Sequence, residues 1–180
     1  MFDSKEELYF SWYLEVLRNW NFIRSWEKIE EPYKLTEDLV VTYTKPMKRV
    51  EDKVLEQVLF KGRVYTPDFR IYWTEQAYGI FVQELSCGEK ITAPFVSQGY
   101  ISTVEVKGGF DNNNMTRLAV NNIKDVYEKY DDYITMIKVP IIFKKTFTPE
   151  RYLLTDKSFK QRKIKYATRS IKEFITQVSE

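Results

Sequence analysis

The sequence predicts a single α/β or α+β domain with a central mixed β-sheet flanked by helices. A length of 180 residues suits one domain of ordinary size. The composition is 43% hydrophobic and 30% charged with only six glycines and six prolines, which is typical of globular proteins. The predicted elements run in the order helix, strands, helix, strand, helices, and this order indicates a sheet covered by helices.

The first predicted element is a helix from about Ser4 to Trp20. Asp3 and Ser4 are candidate caps, acidic residues occupy the first turn, and apolar residues recur at helical spacing. A strand follows at residues 39–45, where β-branched residues alternate with others. We expect it to pair with residues 53–63, a segment whose alternative is a short helix.

Residues 64–73 and 100–109 are the next two predicted strands. Both are rich in aromatic and β-branched residues, and a diglycine ends the second. The stretch between them, 74–99, is too long for a plain hairpin loop, so we expect an inserted hairpin there. Pro67 and Asp68 lie inside the first strand, although proline cannot donate to a strand ladder and a buried carboxylate is unfavourable. Their position suggests that this strand holds the carboxylate for a functional reason.

The carboxyl-terminal part of the chain contains a predicted helix from Met115 to Tyr130. A buried strand is expected over 134–143, with Pro140 placing it at an edge or a bulge. The segment 148–178 is predicted to be a basic helical tail, with Thr148 as cap and a proline at the first helical position.

The composition excludes several classes of chemistry. The sequence has no histidine, so imidazole-based triads, His-ligated zinc sites and His general bases are ruled out. The single cysteine, Cys87, cannot form an intrachain disulfide, which favours a reducing cytoplasm. The acidic amino terminus is unlike a signal peptide and no stretch reaches the apolar length of a membrane span, so no membrane partner is expected. Acid-base or metal chemistry must therefore use carboxylates, lysines or tyrosines.

Two of the predicted strands each offer a chemical face. Side chains alternate across a strand, so Glu105 and Lys107 share one face of "TVEVKGG" while Val104 and Val106 share the other. Asp68 lies opposite the apolar face of its own strand. If the strands are neighbours, Asp68 and Glu105 can converge on one hard divalent cation, with the Val106 carbonyl as a third oxygen ligand. Lys107 would then reach the substrate phosphate or the attacking water, where negative charge develops.

These residues resemble the motifs of a known superfamily. "PD" on one strand followed by "ExK" on the next is similar to the PD-(D/E)XK nucleases, and "FDSKEE" resembles the F-x-S-x-x-E helix start of phage endonuclease I-type Holliday-junction resolvases and related phage nucleases. The resemblance covers roughly residues 2–143. It implies an α/β, restriction-endonuclease-like core. The gap between Asp68 and Glu105 is longer than the hairpin of compact family members, so the insertion at 74–99 must be looped out.

The resemblance also implies an activity, a cofactor and partners. The activity is that of a metal-dependent DNA endonuclease that hydrolyses phosphodiester bonds with Mg²⁺ or Mn²⁺. The catalytic positions carried over are Glu7, Asp68, Glu105 and Lys107, and the metal ligands are Asp68, Glu105, Glu7 and the backbone carbonyl of Val106. Glu6 is the substitute if the helix phase differs by one residue. Resolvases of this kind cut two strands symmetrically, so the implied partners are DNA and a second copy of the chain, in the host-cell cytoplasm if the protein is phage-encoded.

Basic residues beyond the ExK strand are candidate contacts to nucleic-acid phosphates. They are Arg117 and Lys124 on the predicted helix, and Lys160, Arg162, Lys163, Lys165 and Arg169 in the basic tail. A solvated helix face is an equally good interpretation of the tail.

Other interpretations of the motif residues stay open. Asp68 and Lys107 would form a structural ion pair in a protein without catalysis, and Glu7 would complement the helix dipole as a first-turn acid. The chain would then be a catalytically silent nuclease-fold protein that binds DNA or another protein. A third interpretation is a subunit of a restriction or transposition complex, and RNA is not distinguished from DNA.

Overall fold

The computed structural model describes residues 2–46, 51, 53–81, 83–84, 90–91, 100–108 and 114–178. Cys87 and much of the expected insertion lie outside these residues. The fold is mixed α/β, with a central mixed sheet and four α-helices in the described part of the chain. The predicted mixed sheet with helices is therefore confirmed. None of the described helices is long and apolar enough to cross a membrane.

The bounds of the elements are as follows. The α-helices are Lys5–Asn19 (α1), Asn114–Tyr130 (α2), Val139–Lys145 (α3) and Ile171–Val178 (α4). The strands are Ile23–Lys28 (β1), Tyr33–Lys34 (β2), Leu39–Lys45 (β3), Lys53–Phe60 (β4), Val64–Tyr65 (β5), Phe69–Trp73 (β6), Gln83–Glu84 (β7), Lys90–Ile91 (β8), Ile101–Lys107 (β9) and Ile134–Lys138 (β10). Short 3-10 helices occupy Glu75–Ala77 and Glu150–Leu153.

The central sheet has the strand order β1-β6-β9-β10. Strand β6 runs antiparallel to both β1 and β9, whereas β10 runs parallel to β9. Phe69 lies opposite Val104 across the β6–β9 pair. Asp68 precedes Phe69 and Glu105 follows Val104, so antiparallel pairing brings Asp68 and Glu105 to the same end of the two strands. The expectation that the two motif strands are neighbours is confirmed.

Helix α1 covers one face of this sheet, and its predicted extent is confirmed. Ser4 is the N-cap, since its Oγ accepts a hydrogen bond from the backbone N–H of Glu7 at 3.1 Å. Phe10 packs its ring 5.6 Å from that of Phe69 in β6. Burial of each large apolar side chain stabilises the fold by about 1.5–3 kcal/mol. The buried apolar residues of the helix are Tyr9, Phe10, Tyr13, Leu14 and Leu17.

The opposite face of the sheet carries α2 and the start of a long hairpin arm. The arm consists of an inner pair, β2 with β5, and an outer pair, β3 with β4. The inner pair joins a second buried cluster that consists of Leu35, Tyr65, Val126 and Ile134. A Cβ at Gly62 would lie 2.2 Å from the carbonyl oxygen of Thr36. Only glycine therefore lets the backbone at position 62 approach the backbone at Thr36, at the junction of the inner and outer pairs.

The outer pair of the arm confirms the predicted pairing of residues 39–45 with the segment that follows, and it excludes the helical alternative for that segment. Every residue of β3 is exposed, and so is every residue of β4 except Leu55. An inserted hairpin within 74–99 is also confirmed in part, because β7 and β8 pair antiparallel.

Two predicted strands differ from the structure. The single strand over 64–73 is wrong, because β5 and β6 are separated by Thr66, Pro67 and Asp68. The strand expected over 134–143 ends at Lys138. Pro140 lies in the first turn of α3, where backbone N–H groups have no partner within the helix, so the missing N–H of proline has no cost there.

The predicted helical tail over 148–178 is wrong for most of its length. Only residues 171–178 form an α-helix. The 3-10 turn at 150–153 has Pro149 as its N-cap, and Thr148 makes no cap. The intervening chain is held without a helix because two guanidinium groups donate to backbone carbonyls.

Those guanidinium groups belong to Arg162 and Arg169. Arg162 donates to the carbonyl oxygens of Tyr152 and Leu154 at 3.0 and 3.2 Å. Arg169 donates to the carbonyl oxygens of Lys145 and Thr146, at the end of α3. Phe147, Ile171 and Phe174 are buried in the main core, so the carboxyl-terminal segment is part of the packed structure.

Candidate active site

Asp68 lies at the break between β5 and β6, and neighbouring strands fix it on both sides. Its backbone N–H donates to the carbonyl of Val104 at 3.0 Å, and its carbonyl accepts from the N–H of Ile29 at 3.2 Å. Its Oδ2 accepts from the N–H of Val106 at 2.6 Å. The side chain thus substitutes for a backbone acceptor beside β9, which explains how a Pro-Asp pair is accommodated between two strands.

Glu105 lies on β9 with its side chain on the same face as Lys107, as the alternation predicts. Only 5% of Glu105 is exposed. Its Oε1 lies 2.6 Å from Lys107 Nζ, and its Oε2 accepts a hydrogen bond from the Tyr65 hydroxyl at 2.9 Å. Each carboxylate oxygen therefore has one partner and retains a further lone pair.

Glu7 belongs to the first turn of α1 and is also 5% exposed. Ser4 Oγ donates to its Oε1 at 2.9 Å, and Lys28 Nζ lies 2.9 Å from its Oε2. Lys28 contacts Asp3 at the same distance. The Glu7 carboxylate thus contacts both the N-cap residue Ser4 and Lys28 of β1. The geometry therefore also agrees with a purely structural role for Glu7 as an acidic residue in the first turn of the helix.

Glu6 lies next to the end of β9. A Cβ built on Gly108 would be 3.5 Å from Glu6 Oε1, so the Glu6 side chain packs beside this glycine. Glu6 and Glu7 thus remain alternative carboxylates for the same centre.

The electrostatics of the cluster are dominated by Asp68. Burial raises the pKa of its carboxyl from 3.8 to about 7; the Val106 N–H opposes this rise, whereas the charges of Glu105 and Glu7 add to it. Lys107 lowers the same pKa by a smaller amount. Burial and the neighbouring Glu105 carboxylate also raise the pKa of the Tyr65 hydroxyl, so Tyr65 stays a hydrogen-bond donor. Both shifts reflect an excess of negative charge in a partly desolvated site.

The structure brings Asp68, Glu105, Lys107 and Glu7 to one end of the β6–β9 pair. The ion pair considered between Asp68 and Lys107 is not formed, because Lys107 pairs with Glu105. Among the described residues no cation lies within ion-pair distance of Asp68. The N–H of Val106 donates to Asp68, and the carbonyl of Val106 stays a predicted metal ligand.

The donor set fits a hard divalent cation in its chemistry. All side-chain donors are carboxylate oxygens, which Mg²⁺ and Mn²⁺ prefer, and the uncompensated charge at Asp68 favours a cation. In the described part of the chain, however, no group of three acidic or cysteine side chains is already arranged to hold a metal ion. Lys28 and Lys107 occupy positions beside Glu7 and Glu105, so metal binding requires these ammonium groups to share or leave the carboxylates.

Sequence reasoning missed Lys28 and Tyr65, which contact two of the predicted carboxylates. Tyr65 stands in "YTPDF", three residues before Asp68, but nothing in its type indicates a carboxylate partner. Lys28 belongs to β1, whose "IRSWEK" sequence is too polar to indicate a strand of the central sheet.

The predicted phosphate contacts divide into two groups. Arg117, Lys124, Lys160, Lys163 and Lys165 are exposed. Arg162 and Arg169 are half-buried and donate to backbone carbonyls, so their guanidinium groups already serve the fold.

The chain matches no protein-family model, no curated protein and no solved structure. Its function is therefore inferred from the side chains around Asp68 and Glu105 and from the motif resemblance.

Proposed function

We propose that this protein is a metal-dependent DNA endonuclease of the PD-(D/E)XK type, with a restriction-endonuclease-like core. The observation that carries the proposal is the meeting of Asp68 and Glu105 on neighbouring strands, where a hydrogen bond from Val106 fixes the Asp68 carboxylate. The pKa of Asp68, raised to about 7, supports a centre built for a positive partner.

The residues have distinct roles in this proposal. Asp68 and Glu105 would hold Mg²⁺ or Mn²⁺, with Glu7 from α1 and the Val106 carbonyl as further oxygens. When bound, the metal ion would supply a Lewis acid for the phosphate and an activated water. Lys107, 2.6 Å from Glu105, presents an ammonium where charge develops on the phosphate. Tyr65 orients Glu105 through its hydroxyl.

The substrate follows from the motif resemblance. We propose branched or otherwise structured DNA, of phage origin if the chain is phage-encoded, cut by a dimer. The exposed basic residues of α2 and the carboxyl-terminal segment, Arg117, Lys124, Lys160, Lys163 and Lys165, supply candidate phosphate contacts.

Cleavage assays test the proposal directly. The full chain is incubated with Mg²⁺, Mn²⁺ or EDTA and with four-way junction, flap and linear duplex DNA. We expect metal-dependent cleavage that falls by about 10²- to 10³-fold in Asp68→Asn and Glu105→Gln, and also in Lys107→Met. Asp68→Asn keeps an oxygen that accepts from the Val106 N–H, so loss of activity reflects charge rather than unfolding.

Glu128→Gln is the matched control, because Glu128 is an exposed residue of α2. It should cleave as the wild type does. Absence of cleavage on every substrate, or equal cleavage by wild type and Asp68→Asn, contradicts the proposal.

One observation favours a second candidate, a catalytically silent protein that binds nucleic acid through this fold. Glu105 and Glu7 already have lysine partners, which is the arrangement of a structural charge network. Calorimetric titration with Mn²⁺ separates the two candidates. Binding that Glu105→Gln abolishes supports the nuclease, and no binding in the wild type supports the silent protein.

A further inference from the structure

A pocket with a volume of about 300 Å³ opens on the same face of the sheet as the candidate active site. Arg70 and Tyr72 follow Asp68 at every second position of β6, and Thr103 precedes Glu105 by two residues on β9, so their side chains share this face. A step of two residues along a strand is about 7 Å. The pocket is therefore the immediate neighbour of the carboxylates.

Three tyrosine rings form walls of the pocket: those of Tyr33, Tyr72 and Tyr130. The Tyr33 and Tyr130 rings lie 5.2 Å apart in an edge arrangement. Tyr72 donates its hydroxyl hydrogen to Glu27 at 2.8 Å, and Tyr130 donates to the carbonyl of Lys34 at 2.8 Å. These hydrogen bonds fix the hydroxyl groups of Tyr72 and Tyr130, so the faces of their rings can line the pocket as flat apolar surfaces.

Arg70, Thr103 and Asp132 give the pocket its polar groups. The Asp132 carboxylate accepts hydrogen bonds from the Tyr33 hydroxyl and, at 3.1 Å, from Thr103 Oγ1. A carboxylate has about four acceptor positions, so Asp132 can accept more.

The guanidinium of Arg70 is underused by the fold. It has five N–H donors, and among the described residues its hydrogen-bond partners are two tyrosine hydroxyls, that of Tyr33 at 3.4 Å and that of Tyr72. No carboxylate of the described chain lies within ion-pair distance of it. The pocket thus presents a spare cationic donor beside a carboxylate acceptor.

This combination selects one ligand chemistry. A phosphate would be repelled by Asp132, and a purely apolar group would leave most of the N–H donors of Arg70 unmatched. A nucleobase has a flat π-face for the tyrosines and, on one edge, acceptors together with N–H donors for Arg70 and Asp132. Ligand pockets have volumes of about 300–1,000 Å³. The volume of this pocket lies at the lower end of that range, which suits a group as small as a single nucleobase.

We infer that the pocket binds the unpaired base of a nucleic-acid strand whose neighbouring phosphate lies at Asp68 and Glu105. The inference rests on the proposed nuclease function for its choice of substrate and names the feature of structured DNA that the protein recognises. The base must be unpaired, because a base stacked in a duplex cannot enter a pocket.

Binding measurements without cleavage test this inference. Fluorescence anisotropy in EDTA at one salt concentration compares a duplex carrying a single-nucleotide bulge with the same duplex in which the bulged nucleotide is abasic. We expect the wild type to bind the bulge with a base about tenfold more tightly than the abasic bulge.

Two variants assign that preference to the pocket. Arg70→Met keeps the aliphatic stem but removes the donors, and Tyr72→Leu keeps apolar volume but removes the ring. Each should reduce the tenfold ratio to less than about threefold while the affinity for the abasic duplex is unchanged, and Glu128→Gln should keep the full ratio. Thermal unfolding verifies that the variants fold; if Tyr72→Leu does not, Arg70→Met decides alone.

Equal binding of both duplexes by the wild type overturns the inference. So does an Arg70→Met variant that loses affinity equally for both duplexes, since Arg70 would then contact a phosphate. Because no metal is present, base-dependent binding by a protein that fails to cleave DNA upholds the pocket and refutes only the nuclease. Metal-dependent cleavage together with binding that does not depend on the base upholds the nuclease and refutes the pocket.

Discussion

The β6–β9 pair and the outer pair of the hairpin arm are built from similar sequences but lie in opposite environments. Both are rich in β-branched and aromatic residues. Phe69 is fully buried and Val104 is 2% exposed, whereas Val58 is 44% and Phe60 is 57% exposed. The composition of a strand thus predicts that it pairs, but not whether another layer covers it.

The difference arises from what lies on each face. Strands β6 and β9 have α1 on one side and the inner pair of the arm on the other. The outer pair begins beyond the close approach at Gly62, and a two-stranded ribbon alone is only marginally stable in water. Its stability must come from cross-strand contacts and from its connection to the inner pair.

The largest expected effect on this contrast is from Phe69→Ala. The ring centroid of Phe69 lies 5.6 Å from those of Phe10 and Trp26, and its removal leaves a cavity in the main core. The free energy of unfolding in urea should fall by about 3–5 kcal/mol. A loss below about 1 kcal/mol would mean that the β6–β9 pair is no better packed than the outer pair.

Removal of one hydroxyl tests the other face of the central sheet. Tyr65→Phe removes the hydroxyl that donates to Oε2 of the buried Glu105 carboxylate at 2.9 Å, while Oε1 keeps its contact with Lys107. Because hydrogen bonds to charged groups contribute about 1.5–3 kcal/mol, a loss in that range is expected from urea unfolding. An unchanged unfolding midpoint would show that the inner pair does not support Glu105.

A pH dependence is expected from Asp68, with a smaller effect because this residue is only half-buried. The pKa of its carboxyl is about 7 in the folded protein and 3.8 ordinarily. Between these values the folded state keeps a proton that the unfolded state has released, so in EDTA the free energy of unfolding should fall as pH rises from about 4 to about 7. Asp68→Asn should flatten this decline, and parallel profiles for the two proteins would contradict the raised pKa.

The smallest effect is expected in the outer pair. Val58→Thr keeps the β-branched shape at an exposed position, so the free energy of unfolding should change by no more than about 0.5 kcal/mol. A loss above about 1.5 kcal/mol would show that the outer pair is covered in solution.

The parts of the fold that the sequence predicts are those in which one local signal suffices. The cap at Ser4, the alternation over 39–45 and the strand ending in "VEVKGG" each define their element. The meeting of Asp68 with Glu105 follows because each motif fixes the face of its own strand.

The parts that sequence reasoning missed depend on distant partners. Strand β1 has a polar sequence, and its extended conformation is stabilised by antiparallel pairing with β6. The basic segment around Arg162 is not helical, because that guanidinium binds backbone carbonyls and the rings of Tyr9 and Tyr152. Pro140 begins a helix instead of disturbing a strand, a choice that local sequence does not decide.

The inner pair of the hairpin arm places Tyr33 directly opposite Tyr65, so both side chains point to the same side of the ribbon. Tyr65 reaches Glu105 in the candidate active site, and Tyr33 reaches Asp132 in the neighbouring pocket. A tilt of the arm must therefore move both hydroxyl groups together. A ligand that tilts the arm while it binds at one centre would change the free energy of binding at the other centre, and thermodynamic linkage makes the reverse effect equal in size.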